Sequence, residues 1–366
     1  MGTLGQGSFG AVYKAQHKLS KKVIALKKQN LKADNTELLR EVRIMESLKS
    51  PYIIGYYGSS LQGDVMWIVM ELCLYGSIND MMVLTKKTFN EHQISTICHA
   101  SLSGLSYMIN CCKIHRDIKP HNILVNERGE AKLCDFGISS DIMPGEKRNT
   151  VIGTPYYLAP EVIQEKGYDN KVDIWALGIS TIEMAEFNPP LHDSHPMRVL
   201  FLIPNNPAPK LTHPEHWSNE LNDFISKCLV KDPSERASPD ELLSHPFIKK
   251  KAALPTMAPY LKVVGKLINQ YGGLDKALTA IQNQCDPDEE DAGLDDFDAQ
   301  AMFGEISDDE DAKPEPLPIV TGRGKNPFED EALLEAENVL FTGSDDENEK
   351  EDEEDSFDDR LDQPYV

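Results

Sequence analysis

The residues best suited to chemistry lie in one stretch, Lys113-Ile114-His115-Arg116-Asp117-Ile118-Lys119-Pro120-His121-Asn122, followed closely by Cys134-Asp135-Phe136-Gly137. Asp117 offers a carboxylate able to accept a hydroxyl proton, and Lys119 puts an ammonium near it. Asn122 and Asp135 add an amide and a second carboxylate, hard oxygen donors of the kind that hold magnesium. A base, a cation and a metal grip are the parts phosphoryl transfer needs. A polar loop with an accidental Asp and Asn would contain the same letters, so the reading depends on what else the chain supplies.

The run H-R-D-I-K-P-H-N followed by D-F-G resembles the catalytic loop and metal-binding triplet of eukaryotic protein kinases. That resemblance implies a two-lobed α+β fold, with a small antiparallel β-sheet lobe carrying one helix and a large, mainly α-helical lobe. It implies that Asp117 orients and deprotonates the attacking hydroxyl of a protein substrate, and that Lys119 meets the γ-phosphate of ATP. Asn122 with Asp135 would hold Mg²⁺. His115 reads as a packed structural histidine, and the planar fork of Arg116 suits a phosphate on the activation loop.

Near the N-terminus, Gly5-Gln6-Gly7-Ser8-Phe9-Gly10-Ala11-Val12 is G-x-G-x-x-G-x-V. Glycine lets the backbone approach phosphates that a Cβ would hold away. Alone, the motif also fits a dinucleotide-binding turn or a merely flexible one. Two alternating runs, 11–15 and 23–27, follow without an immediate helix, which favours a hairpin. By the resemblance, Leu4, Gly5, Gly7, Gly10, Val12 and Ala25 belong to the ATP site, and Lys27 contacts the α- and β-phosphates. Without these motifs Lys27 would pass for an exposed strand lysine like Lys28.

Residues 37–48 have helical periodicity, with Leu38, Val42, Met45 and Leu48 on one stripe, and Pro51 is expected to stop the helix. The resemblance implies Glu41 as the ion-pair partner of Lys27, with Glu37 as the alternative register. Residues 52–58 and 65–73 read as two strands joined at Gly63-Asp64. The resemblance makes Met70 the gatekeeper and turns the backbone of Glu71 and Cys73 to the adenine edge. A buried strand with no ligand would explain the same apolar residues. The small lobe is thus placed at 1–73 and the large lobe at 77–250.

Residues 77–110 read as two helices, and Ile94, Ile97, Cys98, Ser101, Leu102, Leu105 and Met108 form a core stripe. Farther on, R-N-T-V-I-G-T-P-Y-Y-L-A-P-E, from Arg148 to Glu161, narrows the resemblance to sterile-twenty-like kinases of the Hippo type, which carry Phe-Trp-Met in place of Tyr156-Tyr157-Leu158. This likeness covers about residues 3–250 and implies a serine/threonine kinase in a signalling cascade. Thr150 becomes the activating phosphosite, its phosphate paired with Arg116 or Arg148. Thr154 bridges Asp117 and Lys119, Ile138 goes with threonine preference, Asp173 braces the catalytic-loop backbone, and Glu161 pairs with Arg236 in the core. A plain surface threonine is the alternative at 150 and 154.

Two departures count. Pro120-His121 stands where Hippo-type kinases have Ala-Gly, and the K-P-x-N form keeps a MAP-kinase-kinase-like, dual-specificity role open. A pseudokinase scaffold is a further reading, opposed by the intact Lys27, Asp117, Asn122 and Asp135. The first strand also starts close to residue 1, so a short, fraying edge strand is expected.

Residues 285–366 hold 31 Asp and Glu against 5 Lys and Arg, leaving 29 acidic and 32 basic residues in 1–284. The acidity belongs to the tail, which is too polar to build a core and is expected to be disordered. Within it Ser307, Ser344 and Ser356 resemble acid-directed phosphorylation sites, Asn326-Pro327-Phe328 a short adaptor ligand, and residues 329–341 a partner-binding helix. Residues 251–284 form an extension, in which two short amphipathic helices broken at Gly272-Gly273 either pack on the large lobe or present a docking face. The long heptads of Hippo-type dimerisation helices are not seen.

Seven cysteines without C-x-x-C spacing point to reduced thiols and a cytoplasmic protein. Cys134 is expected to border the nucleotide pocket, as a small hydrophobe or as a reactive thiol. No eighteen-residue apolar run predicts a membrane span, and no nucleic-acid partner is expected.

Overall fold

The chain opens on a five-stranded antiparallel sheet: β1 (Gly2–Gly7), β2 (Gly10–Gln16), β3 (Val23–Asn30), β4 (Tyr56–Gln62) and β5 (Val65–Glu71), in the order β1-β2-β3-β5-β4. The computed structural model describes residues 2–7, 10–31, 35–143, 145–249 and 257–283. Ser307, Ser344, Ser356, Asn326-Pro327-Phe328 and the run 329–341 lie outside the described residues. The register sets Val12 opposite Lys27, Lys27 opposite Ile68, and Ala25 opposite Met70. Facing partners share a side of the sheet, so Val12, Ala25, Lys27 and Met70 line one surface.

The helix α1 (Thr36–Ser47) lies between β3 and β4, with Glu41, Ile44 and Met45 buried. Its inner face is centred on these and on Leu48, while Leu38 and Val42 sit at the margin, half-buried. It ends at Ser47, before Pro51 is reached: the Leu48 amide turns back to the Ile44 and Met45 carbonyls as Leu48 becomes extended. The fourth strand also differs from expectation, starting at Tyr56. Residues 52–55 belong to the large lobe, where Leu133 donates to the Tyr52 carbonyl and accepts from Ile54, both at 2.9 Å. Burial of Ile53 and Ile54 in the core outweighs their strand propensity.

The large lobe begins with α2 (Ile78–Thr85) and α3 (Glu91–Asn110), each opened by a reciprocal capping box, Ser77 with Asp80 and Asn90 with Gln93. Two small ladders follow, β6 (Lys113–Ile114) with β9 (Ser140–Asp141) and β7 (Ile123–Val125) with β8 (Ala131–Leu133). The helices α4 (Pro160–Ile163), α5 (Lys171–Glu186), α6 (Pro196–Asn205), α7 (Asn219–Cys228), α8 (Pro239–Leu243) and α9 (Pro246–Lys249) complete it. α5 is apolar on nearly every side and buried along its length, so it forms the axis of the lobe. The lobes form the two-part arrangement, small β-sheet with one helix and large helical lobe, that the sequence predicts.

Two further helices, α10 (Ala258–Tyr271) and α11 (Leu274–Gln282), are separated by Gly272 and Gly273, both at positive φ. They pack against α2, and α11 also meets β1. Val264 and Ala277 are fully enclosed. The extension is therefore part of the folded body. Among the described residues no helix is long and apolar enough to cross a membrane, and the six described cysteines are free thiols.

Candidate active site

The cleft between the lobes is lined from above by β1 to β3. β1 closes onto β2 with Gly5 opposite Val12 and Gly7 opposite Gly10, and Leu4 is half-buried between them. The glycines differ in what requires them. A Cβ on Gly5 would meet nothing within 4 Å, leaving open room for close approach. Gly10 has φ +137°, and a Cβ there would fall 1.9 Å from the Lys28 carbonyl oxygen, so the sheet itself demands glycine.

Lys27 Nζ lies 2.8 Å from Glu41 Oε1. Glu41 is buried and Glu37 exposed, which settles the helix register. Burial opposes the Lys27 ammonium, but Glu41 and then Asp135 outweigh it and hold its pKa above the ordinary lysine value.

Below the cleft, Asp173 fixes the loop backbone, accepting from the His115 amide at 2.9 Å and the Arg116 amide at 2.8 Å. Burial pushes the Asp173 carboxyl up, against the pull of His115, those two amides and Arg116. His115 is fully buried, its ring 5.2 Å from that of Phe136 and its Nε2 3.0 Å from the Cys134 carbonyl. With Phe136 anchored inside, the backbone at Asp135 takes φ +64° and leaves its carboxylate exposed. The Cys134 amide donates to the Asn122 carbonyl at 3.0 Å, which ties this turn to the preceding loop.

Asp117 is gripped from three sides. Asn122 Nδ2 donates to its Oδ2 at 2.7 Å and to its carbonyl at 2.9 Å. Lys119 Nζ lies 3.0 Å from Oδ2, and Thr154 donates to Oδ1 at 3.0 Å while accepting from Lys119 at 2.8 Å. Both amide hydrogens of Asn122 are thus spent on Asp117, leaving its side-chain oxygen as the group open to a cation. That oxygen and the exposed Asp135 carboxylate are hard donors that fit Mg²⁺.

From the loop before Asp117, Arg116 Nε donates to the Ile138 carbonyl at 2.5 Å, and its NH1 group reaches Thr150 Oγ1 and the Tyr168 hydroxyl, each at 3.3 Å. Arg148 is turned away, donating to the Asp141 carbonyl at 2.6 Å. Deeper, Arg236 forms two parallel bonds to Glu161 at 2.7 and 2.9 Å, and also donates to the Val230 and Lys171 carbonyls. Pro120 is buried and His121 exposed in the short turn Pro120–Asn122.

At the link between lobes the Glu71 amide donates to the Gly55 carbonyl at 2.7 Å, and the Cys73 carbonyl accepts from Gly76 at 3.2 Å. Burial, with Asp135 next, pushes the thiol of the half-buried Cys134 well above its ordinary range.

Sequence reading missed several participants. Lys132 and Asn126 hold the Glu71 carboxylate, each at 3.1 Å; a lysine between Ala131 and Leu133 in an apolar strand was the available signal. Tyr168 completes a triangle with Arg116 and Thr150, bonding Thr150 at 3.2 Å. Tyr157 donates to buried Glu183 at 2.6 Å. No local pattern marks either tyrosine.

This two-lobed fold, closed over such a cleft, is that of a protein kinase domain. The protein kinase domain family matches residues 1–248, and the chain belongs to it. Among its relatives is the protein "Serine/threonine-protein kinase 4 homolog B" of Dictyostelium discoideum, 51% identical over 279 residues, which cover 76% of this chain and 25% of that protein. "Serine/threonine-protein kinase 4 homolog A" of the same organism is 50% identical over 274 residues, covering 74% of this chain and 59% of that one. The chain therefore spans a quarter and somewhat over half of these two relatives.

Proposed function

We propose that this chain is an ATP- and Mg²⁺-dependent serine/threonine protein kinase of the sterile-twenty-like, Hippo-type group, acting in a cytoplasmic signalling cascade and regulated through Thr150. The observation that carries this is the closed ring of Asp117, Lys119 and Thr154, since it holds a carboxylate, an ammonium and a threonine hydroxyl at hydrogen-bond distance. The names of the two Dictyostelium proteins support the serine/threonine class.

Bound ATP with magnesium supplies the phosphoryl group and offsets its charge. Asp117 orients the acceptor hydroxyl and takes its proton as that oxygen bonds to the γ-phosphorus and the bond from phosphorus to the β–γ bridging oxygen breaks, with ADP leaving. Lys119 faces the charge that builds on the transferred group, and Lys27, held by Glu41, meets the remaining phosphates. Asn122 and Asp135 hold the metal. Leu4, Val12, Ala25 and Met70 enclose the base, with the Glu71 and Cys73 backbone at its edge. Positioning and charge neutralisation supply most of the rate.

Thr150 lies 3.3 Å from Arg116, so a phosphate added there would gain a guanidinium and order the segment. One feature favours a second reading: the K-P-x-N form at Lys119-Pro120-His121-Asn122 resembles that common in kinases acting on MAP kinases. Phosphoamino-acid analysis of products made with labelled ATP, a mixed protein substrate and the purified chain separates them. Phosphothreonine above phosphoserine, without phosphotyrosine, supports the proposal, and phosphotyrosine beside phosphothreonine supports the second reading. Nucleotide binding without any transfer, whatever the state of Thr150, would leave only a scaffold.

A further inference from the structure

We propose that the α10–α11 pair is a brace between the lobes that positions β1, with Leu274, Ala277 and Ile281 acting as positioning residues for the nucleotide site. β1 is an edge strand with one hydrogen-bonded neighbour, β2. Half of its six residues are glycine, so its side chains give it little to pack with. α11 supplies the missing contact by packing against it, and the buried face of that helix is Leu274, Ala277 and Ile281.

The other end of the brace is fixed to the large lobe. The Tyr260 hydroxyl bonds Thr85 Oγ1 at 2.7 Å and the Met81 carbonyl at 3.2 Å, and its ring lies 4.7 Å from that of Phe89. Leu261 comes within 2.8 Å of where a Cβ on Gly129 would stand. Between these ends the pair bears on the linking residues themselves. A Cβ on Gly265 would lie 3.5 Å from the Tyr75 ring. At Gly76, with φ +73°, a Cβ would meet Leu274 Cδ2 at 2.8 Å and Asp80 Oδ2 at 2.7 Å. Helix and hinge backbone are therefore in direct contact, and β1 leads straight into the glycine-rich turn. Loss of the α11 contact frees the strand that carries Leu4 and Gly5.

The inference rests on the reading of the cleft as a nucleotide site, and two readouts keep the two apart. The full chain carrying Ile281→Asp is compared with wild type and with Val263→Asp, a change on the exposed side of α10. Amide hydrogen exchange is followed without nucleotide, and affinity is measured with a fluorescent ADP analogue. The expected result is exchange in β1 about tenfold faster, α3 and α5 unchanged, and ADP affinity weakened about fivefold or more, with Val263→Asp like wild type. Loss of α11 protection with β1 exchange unchanged overturns the brace, and faster β1 exchange at unchanged affinity overturns the positioning role. If Ile281→Asp does not fold, Ile281→Ala is read by the same measurements with smaller shifts. If wild type binds no ADP, the nucleotide reading fails and β1 exchange alone decides the brace.

Discussion

Thr154 donates its hydroxyl hydrogen to Asp117 at 3.0 Å across 37 residues of sequence. Because the same oxygen accepts from Lys119, this side chain bridges the carboxylate and the ammonium beside their direct 3.0 Å contact. Replacing it by an isostere without the hydroxyl should misplace both. Thr154→Val is expected to lower kcat by about 10²-fold, with Thr154→Ser close to wild type and both as heat-stable as the parent. Steady-state kinetics with thermal melts check this.

The Lys27 and Glu41 pair predicts a graded loss. On the proposed reading Lys27→Met removes the phosphate contact and should reduce kcat/KM by at least about 10²-fold. Glu41→Gln leaves the lysine in place but without its counter-charge, so its loss should be smaller and should show mainly as a raised KM for ATP. Initial rates over a range of ATP concentrations separate the two.

Arg236 and Glu161 are both buried and joined by two hydrogen bonds. Removing one partner strands the other charge, so Arg236→Ala should cost about 3–5 kcal/mol, while the double change Arg236→Met with Glu161→Leu should cost less than the single one. Urea unfolding of wild type and the two variants reads this directly.

Burial pushes the Glu183 carboxyl from 4.5 up to about 8, while the Tyr157 hydrogen bond and Lys119 pull the other way. The folded chain therefore keeps a proton that the unfolded chain releases. Between pH 4.5 and about 8 this group makes stability fall as pH rises, and below that window its penalty vanishes. Glu183→Gln should flatten that slope. Denaturant midpoints at pH 5.5 and pH 8, compared between wild type and variant, test the sign.

What could be read in advance follows from how local each signal is. Asp117, Lys119 and Asn122 stand within one short loop, and the resemblance of this loop and of the triplet beginning at Asp135 to kinase motifs implies that they meet. Helical periodicity likewise marks α1 and the Gly272-Gly273 break between α10 and α11. Position against distant elements is not local. Periodicity says that α11 has an apolar face and cannot say that β1 lies beside it. Residues 52–55 look like strand, yet pairing with Leu133 takes them into the large lobe. Tyr168 reaches Arg116 over 52 residues, and Lys132 reaches Glu71 from a separate hairpin, by contacts that exist only once the lobes have formed.

The most direct measurement is single-turnover transfer of labelled γ-phosphate from Mg-ATP to a threonine-containing protein substrate, by wild type and by Asp117→Asn, with ADP affinity measured for both. The account predicts label on threonine with wild type, a rate at least about 10³-fold lower with the variant, and equal ADP affinity. Equal rates for the two proteins, or wild type that binds ADP and never labels an acceptor after Thr150 has been phosphorylated, would contradict it.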